Sequence, residues 1–397
     1  TAEPLKFLAE GGSIISANDY EGMPERDRNI WTSSRSFYEY ISRFKKVPLL
    51  GQAAFAIFDW TQKIKAFYPK RDLSGATFTQ KGTRTLLERG WGKDFIDRLY
   101  PRNIPFISTF YNPAFMAEYF RYPGEIYCIV CDADIARVWA PFKPKTSRIK
   151  YFAPNERVVQ RLKLYGVKEE NIILSGYPLP LENIGSREMD ILKEDIKNRI
   201  LNLDPLGKYR EKYNFVIKEK LGRLPEKSGH PLTIMFAVGG AGAQKEMGIQ
   251  IVRKLKKLIY NKKLKVILVA GTKAKIKDYF EKEMRNGGLQ SFLDKGSVEI
   301  IYKNNFEDYY NVFNSALRKT DLLWTKPSEL SFYSALGLPI IIAPTIGSQE
   351  DFNKHWLIKS GYGIEQEDIE DINDWLFDWI NAGYLAEMAM EAYIEGE

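Results

Sequence analysis

Residues 320–353, TDLLWTKPSELSFYSALGLPIIIAPTIGSQEDFN, constrain the fold more than any other part of the chain. Two short apolar runs, Leu322–Trp324 and Ile340–Ile342, read as buried strands. Between them Pro327, Ser328 and Glu329 open a helix, with proline and a hydroxyl where a helix start favours them. Strand, loop, helix and strand in quick succession define a βαβ unit, because parallel neighbours need a crossover. In an open parallel sheet, ligands bind outside the carboxyl ends of the strands. The polar loops Thr325–Glu329 and Gly347–Glu350 are therefore predicted to share that rim. A third loop joins them, where the strand Leu232–Val238 runs into Gly239-Gly240-Ala241-Gly242-Ala243-Gln244 and then a helix. Loops rich in Gly, Ser and Gln on one rim suggest a nucleotide or sugar-phosphate site.

The same alternation extends along the chain. In the second half, strands are also expected at Lys265–Ala270 and Ser297–Tyr302, with helices at Lys245–Tyr260 and Phe306–Leu317. In the first half, Ser13–Ala17, Ala76–Thr79, Pro105–Phe110, Ile126–Cys131, Ile149–Phe152 and Ile172–Leu174 are strand candidates. Asn155–Tyr165 reads as an amphipathic helix that Gly166 closes. Strands alternating with helices imply an α/β protein with helix-covered parallel sheets. At 397 residues two domains are the default. The expected division is 1–180, a highly charged helical linker or insertion at 181–230, a second α/β domain at 231–365, and C-terminal helices at 366–397.

Charge is distributed unevenly. Residues 1–180 hold 27 Lys and Arg against 19 Asp and Glu, whereas the remainder holds 31 against 32. The basic half favours anionic partners such as acidic lipid or phosphate esters. The segment Trp31–Lys65 mixes aromatic and basic residues as an anionic bilayer surface would require. The loop Lys143–Lys150 adds four cations. Nucleic acid is not expected, because the cations are dispersed and no nucleic-acid motif is present. Two cysteines, Cys128 and Cys131, imply no disulfide framework and a reducing, cytoplasmic setting. On a strand they point to opposite faces, so they are read as buried side chains and not as a metal or redox pair. No metal site is expected, and no run is long and apolar enough to span a bilayer.

Several short motifs in order resemble the GT-B glycosyltransferases, which have two Rossmann-like domains facing across a cleft. They are Val130-Cys131-Asp132-Ala133-Asp134 through Trp139, Phe152-Ala153-Pro154-Asn155-Glu156, Gly166-Val167 and Gly176-Tyr177-Pro178. The glycine-rich turn from Gly239, Thr325-Lys326, and Gly347-Ser348-Gln349-Glu350 with Asn353 complete the series. Within that group the chain looks most like the branch of monogalactosyldiacylglycerol synthases, diacylglycerol glucosyltransferases and the N-acetylglucosaminyltransferase of lipid II synthesis. The resemblance implies that Gly239, Gly240, Ala241 and Gly242 cradle donor phosphates at a helix N-terminus. It also implies that Lys326, Ser328 and Glu329 line the nucleotide and that Gln349 and Glu350 touch the donor sugar. The expected substrates are a nucleotide-sugar, UDP-linked for preference, and a lipid or other hydrophobic acceptor. The implied reaction is inverting, with neither metal nor cofactor, and the protein is expected to work as a peripheral enzyme at a membrane.

The chain departs from this pattern in two places. The helix after Pro327 lacks the acid that binds ribose in the family, leaving Glu329 as the nearby carboxylate. Family members also carry a histidine after their first strand, whereas residues 1–180 contain none, and His230 and His355 are the only two. Glycosyl transfer still needs a base for the acceptor hydroxyl. Asp132 and Asp134, at the end of the strand Ile126–Cys131, are the candidates, with helix capping as the competing role. Asn112 and Arg137 are the acceptor-side candidates. Two further roles fit the same pattern: a catalytically silent relative that binds nucleotide, lipid or a partner chain, and a nucleotide-sugar epimerase.

Overall fold

The computed structural model describes residues 2–33, 64–237, 244–345 and 348–396, without the side chains of Glu329, Ser348 and Gln349. Its contacts divide into two compact units, one of residues 1–178 with 346–353, the other of residues 179–345 with 354–397. The architecture is α/β in both, as the alternation predicts.

The first unit is built on a four-stranded parallel sheet, β1 (Phe106–Ser108), β2 (Ile126–Ile129), β3 (Lys150–Ala153) and β4 (Ile172–Leu174), in chain order. Phe106 pairs with Ile126, Cys128 with Tyr151, and Ala153 with Leu174. Right-handed crossovers along a sheet that grows in one direction stack the connecting helices on one face. That face holds the core: Phe106, Ile126, Cys128, Tyr151 and Ala153 pack with residues of helices Tyr111–Tyr119 and Glu156–Leu164. On the other face Ile107 and Ile173 remain 42% and 39% exposed. Asn155 caps the second helix, its Oδ1 accepting from the Val158 N–H at 2.9 Å. Gly166, at φ 84°, ends it as the sequence predicts.

Two expected strands are absent. Residues 3–12 form short 3₁₀ turns, and 13–17 take no part in either sheet. Thr77, read as a strand residue from its branched side chain, is instead the N-cap of helix Phe78–Glu88. Its Oγ1 accepts from the Gln80 N–H and Gln80 Oε1 accepts from the Thr77 N–H, a reciprocal box that ends extension there. Cys128 and Cys131 are free and buried, and burial pushes the Cys128 thiol well up.

The second unit carries a six-stranded parallel sheet. Its strands are β5 (Leu232–Ala237), β6 (Leu264–Gly271), β7 (Val298–Tyr302), β8 (Leu322–Thr325), β9 (Ile340–Ile342) and β10 (Gly363–Glu365). They lie in the order β7-β6-β5-β8-β9-β10. Counted from the first, that is 3-2-1-4-5-6, the doubly wound dinucleotide-fold order. Sequence reasoning missed β10, because a three-residue edge strand has no period to read.

The segment 181–230 is not a linker. Helix Asp190–Leu203 buries Leu192, Ile196, Ile200 and Leu203, and helix Lys208–Leu221 buries Ile217 and Leu221, in the same core as β5 to β10. Arg199, 2% exposed, donates to the carbonyls of Thr320 and Leu336, which its spacing among charged neighbours concealed. The C-terminal helices Ile372–Ala382 and Tyr384–Gly396 also belong to this core, with the Trp375 ring 5.6 Å from that of Trp324.

Candidate functional site

The order of the second sheet reverses between β5 and β8, so connections leave these neighbours toward opposite faces and open a crevice at their carboxyl ends. The loops that leave those ends are two that the sequence marks. Thr325, fully buried at the end of β8, donates its hydroxyl to the carbonyl of Ala237 at the end of β5 and draws the two exits together. Gly239, Gly240, Ala241 and Gly242 lie outside the described residues, as does Gly347. Gln244 holds the left-handed conformation at φ 66°, which disfavours residues other than glycine. Its Nε2 donates to the carbonyl of Pro344, just past β9, at 2.9 Å. The polypeptide after β5 is thus tied to the polypeptide after β9.

Gly248 then brings helix Lys245–Lys254 down onto the sheet. A Cβ there would stand 2.9 Å from the Phe236 ring and 3.1 Å from Leu268 Cδ2. Lys326, directly after β8, is 8% exposed. Ser328 stands at the N-cap position of the 3₁₀ helix Glu329–Leu336, but its side chain makes no capping bond. Glu350 is half-buried in the first turn of helix Ser348–Lys359.

In the first unit, Asp132 follows β2 and is 8% exposed. Tyr111 and Asn112 follow β1, the neighbouring strand. Burial, with a smaller contribution from the Asp132 charge, pushes the Tyr111 phenol up to about 12. Tyr111 packs tilted against Phe110 and edge-on to Trp139, with ring centroids 4.3 and 5.2 Å away, and Phe110 is 41% exposed. Asn112 Oδ1 is buried without a hydrogen-bond donor among the described residues. A carboxylate, an aromatic cluster and an unsatisfied acceptor thus converge at the ends of β1 and β2.

Two candidates are committed elsewhere. Asp134 accepts from Arg161 Nε at 2.8 Å and Arg161 Nη2 at 2.7 Å, from Arg157 Nε at 2.9 Å, and from the Ile135 N–H at 2.9 Å. Its lone pairs are occupied by donors, two of them from a guanidinium with no exposed surface, so Asp134 is an anchor and a poor base. Arg137, 4% exposed, donates to the carbonyls of Ser74, Ala140 and Pro141, and burial lowers its pKa to about 10. It clamps three loop carbonyls and presents no free face to an acceptor. Sequence reasoning overlooked Arg161, although it sits three residues after Val158 on the apolar face of its helix, where a lone cation signals a buried partner.

Among the described residues no three His, Cys, Asp or Glu side chains gather as a metal site. Among them, too, no helix is long and apolar enough to cross a membrane.

Residues 217–391 match the family described as Domain of unknown function (DUF6938). No curated protein matches the chain in sequence. Among solved structures, the chain is similar to a putative UDP-N-acetylglucosamine 2-epimerase from Listeria monocytogenes. The identity is 13% over 86% of this chain and 80% of that one, with a TM-score of 0.45. It is similar to the UDP-GlcNAc 2-epimerase from Neisseria meningitidis bound to UDP-GlcNAc, at 13% identity over 87% and 88% with a TM-score of 0.41. It is also similar to Acinetobacter baumannii MurG, at 13% identity over 78% and 74% with a TM-score of 0.43.

Proposed function

We propose that the chain is a GT-B-type glycosyltransferase that moves a sugar from a nucleotide-sugar, UDP-linked for preference, to a lipid or other hydrophobic acceptor. The observation that carries this is the 3-2-1-4-5-6 strand order of the second unit. Its reversal falls between the two strands whose exit loops hold Gly239–Gly242 and Lys326–Glu329. A diphosphate at that crevice would meet backbone N–H groups, the Lys326 ammonium and the Ser328 hydroxyl. Leaving-group charge would then be neutralised by these groups and by Lys326 in particular, with no metal needed.

The acceptor-side candidates lie in the first unit. Asp132 is the base, since Asp134 is held by two arginines. Phe110, Tyr111 and Trp139 offer apolar surface beside it, in keeping with a hydrophobic acceptor, and Asn112 Oδ1 is an acceptor for a substrate hydroxyl. A cytoplasmic enzyme at a membrane surface fits such an acceptor.

A binding-only role is the second reading, favoured by the commitment of Asp134 and Arg137 to structural contacts. Calorimetry with UDP, followed by incubation with UDP-sugars and anionic liposomes, separates the two. UDP binding with UDP release and a glycosylated lipid is the expected result, abolished in Asp132→Asn. UDP binding without turnover leaves the binding-only role, and an epimerised sugar without acceptor makes the chain an epimerase. No binding of UDP sinks all three.

A further inference from the structure

Helix Phe78–Glu88 begins with Phe78, which is 80% exposed. Fully solvated phenylalanine at a helix start is unfavourable unless something apolar covers it part of the time. The first turns of this helix lie along residues 140–142. Gln80 Nε2 donates to the Ala140 carbonyl at 2.6 Å, and the Arg84 guanidinium stands 4.6 Å over the half-buried Phe142 ring. Exposed Lys143 and Lys145 follow at once, and exposed Lys81 and Arg84 rise from the helix. Residues 65–84 and 140–150 together hold nine Lys and Arg and a single acid, Asp72. Asp72 bonds Ser74 and feels Lys145, which keep its carboxyl below the usual range. Glu88 is the one acid on this helix, 2.8 Å from Arg84.

The geometry points to this patch as a docking surface for an anionic phospholipid bilayer, with Phe78 entering the acyl boundary and Lys81, Arg84, Lys143 and Lys145 contacting lipid phosphates. The charge matches an acidic leaflet, and an apolar ring flanked by cations matches its interfacial layer. A soluble polyanion would satisfy the cations but leave Phe78 in water. The patch and the acceptor-side candidates lie at opposite rims of the unit. Pro144 packs against Gly166, which closes helix Glu156–Leu164, so the patch sits at the amino-end rim of the sheet. The opposite rim, with Asp132 and Asn112, is left open. Nothing here depends on nucleotide-sugar binding.

The test is co-sedimentation of the full chain with vesicles of 70% phosphatidylcholine and 30% phosphatidylglycerol, beside vesicles of phosphatidylcholine alone. Binding to the anionic vesicles that weakens with added salt is expected. Lys143→Glu/Lys145→Glu should lower partitioning at least tenfold, and Phe78→Ser severalfold, with unfolding midpoints unchanged because all three side chains are solvated. Calorimetry with UDP on the same variants reports the donor site separately and should not change. Absence of vesicle binding, equal binding by the variants, or retention on heparin without vesicle binding overturns the proposal.

Discussion

Arg161 grips Asp134 through both carboxylate oxygens, at 2.8 and 2.7 Å, with Arg161 itself completely buried. The remaining guanidinium nitrogen, Nη1, donates to the Lys65 carbonyl at 2.9 Å. The pair therefore joins three pieces of chain: the loop after β2, the helix before β4 and the segment around Lys65. Breaking a buried pair by removing one partner leaves an uncompensated charge, at about 3–5 kcal/mol. Asp134→Asn and Arg161→Leu should each lower stability by that order in urea unfolding, and the double variant by less than their sum. Arg157, the third partner, is 37% exposed, and Arg157→Ala should cost below about 1 kcal/mol. A stable Asp134→Asn protein that has lost only turnover would return this carboxylate to the role of base.

Gly248 is the residue that lets helix Lys245–Lys254 sit on β5 and β6. An added methyl would press on Phe236 at 2.9 Å and Leu268 at 3.1 Å, both in the closed core. Overpacking of this kind costs about 1–3 kcal/mol. Gly248→Ala should lose that much stability by urea denaturation and, because the helix start moves outward, weaken UDP binding as well. Full stability in the variant would mean that the helix stands further from the sheet than a 2.9 Å approach to Phe236 allows.

Gln244 ties the loop after β5 to Pro344 while holding φ at 66°. Glycine adopts that conformation freely, so Gln244→Gly removes the tie without backbone strain. A hydrogen bond of this type contributes about 0.5–1.5 kcal/mol. The expected outcome is a several-fold loss of UDP affinity by calorimetry, with a thermal midpoint equal to or above that of the parent. Gln244→Glu, which cannot donate to a carbonyl when ionised, should lose affinity at least as much. Parental affinity in both variants would show that the tie does not shape the site.

The central strands of the second unit were legible because they are buried: runs such as 233–237 and Leu322–Thr325 have no solvent face to mask them. The site loops were legible for a related reason, since Gly and Pro mark the turns at strand exits. Side-chain commitment was not legible. Asp132 and Asp134 look alike in sequence, and only the folded position of Arg161, 27 residues on, separates them. The segment 181–230 misled because its apolar positions, Leu192, Ile196, Ile200 and Leu203, are embedded in a run dense with charge. Thr77 misled because its local hydrogen bonds with Gln80 outweigh β propensity.

Asp321 gives the second unit a pH dependence of predictable sign. The residue is fully buried at the amino end of β8, its Oδ2 accepting from the Thr233 N–H at 2.7 Å and Asn202 Nδ2 at 3.0 Å, its Oδ1 without a partner among the described residues. Burial raises its pKa to about 8, despite the opposing pull of the Arg199 charge. An unfolded Asp titrates near about 3.9, so between about pH 4 and 8 the folded state binds the extra proton. Stability from this group is therefore fully present at low pH and is lost as the pH rises toward 8, by at most about 1.4 kcal/mol per unit. His230, 3.7 Å away, has its pKa lowered by burial and acts oppositely, adding stability as the pH rises through its unfolded value near about 6.5. The Asp321 slope should thus stand alone between about pH 7 and 8. Urea midpoints measured across that interval should fall in the parent and stay flat in Asp321→Asn, with the variant the more stable at pH 8. Parallel profiles for the two proteins would mean that the Asp321 carboxyl is already ionised in the fold, balanced by Arg199.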